Sequence, residues 1–240
     1  MALTTTPGSS AANCYVSLAN ADTFFGNLRV AEAWDGLSDP NKEIALKNAT
    51  ADVDRFMREH VECRVMIDQA RVWPFWWEDG EGEFALSLSP DSGTTEGFTS
   101  TSLANADWPD EYLNGGSVFV LDADDEAPEF ELQAISGFTR STGAIKTAAF
   151  TAELANGDTV YLIRPVPKWL KDATCYQALF LLTDKTTERS ADRQAGITSR
   201  SSPRAGSVSL KDDAPADWLC REAYKLIEPH MPMNVEVGRG

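Results

Sequence analysis

Trp73, Phe75, Trp76 and Trp77 form the densest cluster of side chains in this sequence with chemistry to offer. Indole and phenyl faces stack on single-stranded bases, but such platforms sit in basic grooves. Here Arg71 is the nearby cation, and Glu78, Asp79, Glu81 and Glu83 follow. Those neighbours repel phosphate, so the cluster reads as core or subunit interface, two settings that aromatics dominate. The acidic run Asp122, Asp124, Asp125 and Glu126 is a second candidate. Calcium takes several oxygen ligands, yet the glycine and distal glutamate of an EF-hand are missing. A solvated turn between two strands accounts for the run, and a weak cation site stays open beside it. Arg189, Arg193, Arg200 and Arg204 fall in a polar stretch, 184–206, that reads as a loop of mixed sign. It suits DNA, an acidic partner or a neighbouring subunit.

Acid–base and metal chemistry find little to use. The histidines are His60 and His230, and the cysteines Cys14, Cys63, Cys175 and Cys220 include no Cys-x-x-Cys pair. Zinc sites need close Cys and His spacing, so neither metal nor cofactor is expected. Scattered thiols read as small buried hydrophobes. No nucleophile elbow and no phosphate loop occurs, and the expectation is a protein that is not an enzyme.

Charge is the strongest bulk signal: 21 basic and 37 acidic residues leave −16 in 240 residues. Nucleic-acid affinity is driven by Lys and Arg releasing counterions, so this chain is a poor candidate for coating DNA. The same charge suits a channel wall past which a genome slides, or solubility alone. No apolar run approaches the roughly 20 residues of a membrane span. The N-terminus lacks the basic and apolar blocks of a signal peptide, so a cytosolic site of synthesis is expected.

The elements that must position these residues follow from periodicity. Residues 1–13 are small and polar and predict a flexible arm. Ser17 caps a first helix with Leu18, Ala21, Phe24, Phe25 and Leu28 on one face. A loop carries Trp34. Ser38-Asp39-Pro40 opens a second helix with an apolar stripe of Ala45, Leu46, Ala49, Val53, Phe56 and Met57. Ile67 to Trp73 predicts a short third helix, and residues 79–115 show no steady period. Strands are expected at 118–121, 130–135, 144–150 and 159–163, with Asn114-Gly115, Ser136-Gly137, Thr142-Gly143 and Asn156-Gly157 as turns. Helical spacing resumes from Val166 to Thr183, a short strand is expected at 207–210, and a last helix at 215–228.

Five phrases in order carry a resemblance. They are Cys14-Tyr15-Val16-Ser17-Leu18-Ala19-Asn20-Ala21-Asp22-Thr23-Phe24-Phe25; Trp34 with Ser38 to Leu46, Ala49-Thr50 and Val53-Asp54; Gln69-Ala70-Arg71-Val72-Trp73-Pro74; Val166 to Thr174; and, more loosely, Arg204 to Ser209. The chain thereby resembles the small helical head-to-tail connector (adaptor) proteins of long-tailed double-stranded DNA phages. Many of those also carry the label DnaT-like single-stranded DNA-binding protein. The 79–165 segment is longer than the usual loop of that family.

The periodicity predicts an α+β protein, a small antiparallel β-domain inserted in a helical frame, and the resemblance implies that the frame is a compact helical bundle (adaptor-like). Its domains would be a flexible arm at 1–13, a discontinuous helical connector domain at 14–78 and 166–230, the β-rich insert at 79–165, and a tail at 231–240. The resemblance implies a structural virion protein of the neck, assembled in the host cytoplasm. A ring, commonly of twelve copies, would sit beneath the portal protein and join the head to further neck or tail-completion proteins. That ring would enclose double-stranded DNA without gripping it and touch no membrane. The residues expected at partner interfaces are Trp73, Trp76, Trp77, Met231, Met233, Val235 and Val237. The alternatives are a DnaT-like replication accessory protein that binds single-stranded DNA, or a recognition module borne by the β-domain.

Overall fold

The structure is a computed structural model that describes residues 2–28, 32–58, 63–64, 69–76, 85–123, 128–183, 199–202, 206–209 and 219–231. In chain order the first elements are helices α1 (Leu18–Gly26), α2 (Glu32–Asp35) and α3 (Asp39–Arg58), then the short strands β1 (Cys63–Arg64) and β2 (Phe75–Trp76). Strands β3 (Ala85–Leu88), β4 (Ser92–Thr94) and β5 (Gly97–Thr99) precede a helical turn, α4 (Thr101–Ala104). Next come β6 (Ser117–Asp122), β7 (Leu132–Thr139), β8 (Ala144–Thr147) and β9 (Thr159–Ile163), then the long helix α5 (Lys168–Thr183). The ribbon β10 (Ser199–Ser202) and β11 (Gly206–Ser209) leads to helix α6 (Arg221–Ile227). The chain is α+β and divides into two compact units. One holds Met1–Leu3, Tyr15–His60 and Lys168–Gly240, and the other Thr4–Cys14 and Val61–Pro167.

In the first unit, Ser17 caps α1 by accepting the Asn20 N–H at 3.3 Å. α3 buries Ala45, Leu46, Ala49, Val53, Phe56 and Met57, the stripe that its spacing predicts. α5 packs against α3 and α6. Phe24 meets Tyr176 edge-on at 5.0 Å, which fixes α1 to α5. Trp34 belongs to the short helix α2 rather than to a loop, and stacks on Phe25 at 4.2 Å.

In the second unit, seven antiparallel strands run in the order β3-β9-β6-β7-β8-β5-β4. Laid flat, the outer strands of such a sheet would stand about 29 Å apart at roughly 4.8 Å per strand. Only Ser89, Pro90 and Asp91 join β3 to β4, and four peptide steps reach at most about 15 Å. The sheet therefore curls until its two end strands approach. Register shifts between Val120 and Asp122 and between Ile135 and Gly137 supply the bends. Leu88, Phe98, Val118, Val120, Ile135, Phe138, Val160 and Leu162 are among the side chains that fill the inside.

Several expectations are corrected. Residues 4–14 are tied into the second unit rather than forming a free arm. Ser117 Oγ donates to the Pro7 carbonyl at 2.6 Å, and Arg71 Nη2 to the Asn13 carbonyl at 3.0 Å. Residues 69–73 run through bends, not a helix, and the Gln69 amide donates to the carbonyls of Arg71, Val72 and Pro74, which holds them in that course. The stretch 79–115 contains β3, β4, β5 and α4. Strand β7 begins at Leu132, not Phe130, since Phe130 takes a φ of 62°. Part of the 184–206 stretch is the strand β10, paired with β11.

Candidate functional site

Of the predicted interface residues, Trp73 and Met231 have described side chains, and both are buried. Trp73 is 2% exposed in the second unit and Met231 is 7% exposed in the first. Both are used inside the fold: a large indole recovers most when withdrawn from water, and the Met231 N–H closes the chain onto the Glu228 carbonyl at 3.1 Å. Trp76 lies in β2, opposite Cys63. Trp77, Met233, Val235 and Val237 lie outside the described residues, as do His60, Asp124, Asp125, Glu126, Arg189, Arg193 and Arg204.

Several polar groups in the helical unit are tied to one another. The Tyr15 hydroxyl donates to the buried Asp54 carboxylate. Asp22 accepts from Trp34 Nε1 at 2.9 Å and Lys42 Nζ at 2.8 Å. The Lys42 hydrogen bond, aided by that of Trp34, holds the Asp22 carboxyl below its ordinary range. Gln177 bridges three elements: its Nε2 donates to Asp52 at 2.8 Å, and its Oε1 accepts the Cys220 N–H at 2.8 Å. Cys220 caps α6, its Sγ accepting the Ala223 N–H at 3.3 Å. Burial pushes its thiol up to about 11, so it is not a thiolate nucleophile at neutral pH. His230 stacks on Trp169 at 4.3 Å, and burial lowers its pKa, which keeps it neutral.

Asp52 yields a prediction. Burial raises its pKa above 3.8, against the Gln177 hydrogen bond and the Arg55 charge. A carboxylate with a raised folded pKa adds stability that is fully present below 3.8 and lost as pH climbs through the folded value. Asp52→Asn keeps an oxygen for Gln177 and carries no charge. Its Tm at pH 7 is expected to rise by about one degree, with the gain vanishing below pH 3.8. Thermal melts of both proteins across that range check it; an equal gain at pH 3 would mean that the charge plays no part.

The second unit presents three surface features that sequence spacing did not bring forward. Trp108 and Tyr112 lie 5.4 Å apart, with the Arg164 guanidinium 5.1 Å from the indole. A groove of about 500 Å³ opens over β4, β5 and β8, lined in part by Ser92, Thr94, Glu96, Thr99 and Lys146. Phe119 and Phe130 meet at 6.3 Å beside β6. The signal for the first was the Trp108–Tyr112 spacing of four; the others depend on strands brought together from afar. Among the described residues, no group of three His, Cys, Asp or Glu side chains could hold a metal ion. No helix among them is long and apolar enough to cross a membrane.

Residues 1–83 match a family described as "Putative DnaT-like ssDNA binding protein". The matched part holds α1, α2 and α3 and stops before the curled sheet. No curated protein matches the chain. The chain is thus similar to that family over its first third, a stretch whose buried side chains include Tyr15, Phe25, Trp34, Leu46, Val53 and Trp73.

Proposed function

We propose that this chain is a non-enzymatic binding subunit, and specifically a head-to-tail connector of a phage neck. In this proposal copies form a ring beneath the portal protein, extend the DNA channel and receive the next neck or tail-completion protein. The protein would work in the virion neck after assembly in the host cytoplasm. The observation that carries it is the net charge of −16, which disfavours a grip on phosphates and suits a wall that DNA slides past. The resemblance adds support, since three of its five phrases fall largely on the helices α1, α2 with α3, and α5.

A second reading has its own support. The description of the matching family names single-stranded DNA binding, and that comparison favours a DnaT-like role over a connector. Anisotropy with a labelled oligonucleotide separates the two. For the connector, no saturable binding is expected up to about 0.1 mM protein at physiological salt. Micromolar binding that weakens steeply with added salt would overturn the connector and establish the second reading. Light scattering of the protein with and without portal supplies the other arm: a ring-sized species is expected on the portal.

A further inference from the structure

We propose that the outward face of β6, with the turn that leads into β7, is a docking surface for a basic polypeptide segment. Its anchors are Phe119, Leu121 and Phe130, and its charges are Asp122, Glu129 and Glu131. This goes beyond the connector reading and does not depend on it.

Phe130 is 67% exposed and Leu121 37% exposed, although phenylalanine and leucine are among the residues most often withdrawn from water. Phe130 also holds a φ of 62°, a conformation that bulky residues rarely adopt. The backbone fixes it there: Phe130 N–H donates to the Val120 carbonyl at 2.8 Å, and Val120 N–H to the Glu131 carbonyl at 3.0 Å. The ring is thus presented beside Phe119, not left behind by a loose loop. A strained residue that exposes a large apolar ring points to binding.

Charge selects the occupant. From Ser117 to Thr139 the sequence carries carboxylates and no lysine or arginine. Asp122 is exposed, and Glu131 is fixed in place by accepting the Thr151 N–H at 3.1 Å. Such a rim repels phosphate and anionic lipid alike. A second copy would set carboxylates against carboxylates. A segment that alternates lysine or arginine with apolar side chains meets both the rings and the rim.

The test uses the full chain and a labelled decapeptide of alternating lysine and leucine, read by anisotropy at low and moderate salt. Saturable binding that weakens with salt is expected. Phe130→Ser, which removes an exposed ring and leaves the melt unchanged, should weaken it about tenfold. Asp122→Asn with Glu129→Gln should weaken it and flatten the salt dependence, while Asp107→Asn, exposed beside Arg140 past the far end of β7, should not. A peptide with serine for leucine should bind about tenfold less well to the native chain and be insensitive to Phe130→Ser. The proposal is overturned if the lysine–leucine peptide fails to bind, or if Phe130→Ser leaves its affinity unchanged. It is equally overturned if that substitution abolishes self-association or oligonucleotide binding instead.

Discussion

Replacing Trp34 with alanine is expected to remove about 3–5 kcal/mol from the helical unit. The side chain is 1% exposed and stacks on Phe25, itself fully buried, with 25° between the rings. Truncation loses the burial of a large apolar surface and leaves a cavity against Phe25 that the helices α1 and α3 cannot readily fill. It also removes the Nε1 donor from Asp22, and the ring over which Lys42 Nζ lies at 5.2 Å. Lys42 still holds Asp22 at 2.8 Å, so the carboxylate is not abandoned and the loss is mainly one of packing. Trp34→Phe separates the parts: it keeps an aromatic face for Phe25 and forfeits the hydrogen bond, costing about 1–2 kcal/mol. Urea unfolding followed by circular dichroism at 222 nm measures both. A Trp34→Ala midpoint equal to the native one would remove Trp34 from the core.

That stack also shows what the sequence could and could not reveal. The stripe of α3 is local: positions three and four apart share one helix face, so the spacing of Ala45, Leu46, Ala49 and Val53 is enough to find it. The Phe25–Trp34 stack joins two helices, and no period within either one predicts it. Strands β4 and β5 were hidden for a different reason. Ser92-Gly93-Thr94 and Gly97-Phe98-Thr99 have the composition of turns, and Phe98 alone supplies a large inward side chain. The curl of the sheet, not their own pattern, makes them strands.

The alternation at 130–135 was legible, but it did not say which set of side chains turns inward. Phe130 and Ala134 are exposed, and Leu132 is half-buried. The core takes Ile135 and Phe138, three positions apart because the irregularity between Ile135 and Gly137 inserts a residue. In a strand a shift of one residue exchanges the two faces, so a period of two cannot choose between them. The docking surface proposed above lies in a segment that spacing alone could not orient. The polar contacts of Gln177 were equally out of reach, since they join residues 125 and 43 positions away.

The other large effect is expected at Gly97. This glycine has a φ of +147° and sits in β5 opposite Lys146 of β8. A Cβ there would stand 2.0 Å from the Ile145 carbonyl oxygen and 3.2 Å from the Lys146 Cα. Both are backbone atoms of the paired strand, so no rotamer change relieves the clash; the strands must part or the φ must change. Gly143, at φ +60°, stands just before β8 under a like constraint, with a Cβ 2.0 Å from the Ser100 carbonyl oxygen. The two glycines thus bracket the β5–β8 pairing, which carries the β4–β5 hairpin on the end of the sheet. Gly97→Ala is expected to cost about 3 kcal/mol or more, as backbone strain and overpacking add. Gly26→Ala is the control: nothing lies within 4 Å of its Cβ, and an alanine in α1 should be neutral or gain up to about 1 kcal/mol. Hydrogen exchange at Phe98 and Ile145, which face each other across the pair, reads the change where it occurs. Faster exchange at those amides in Gly97→Ala, with none in Gly26→Ala, is the expected result. Equal exchange in the two variants would show that β5 tolerates a side chain at Gly97 and that its close approach to β8 does not hold the hairpin.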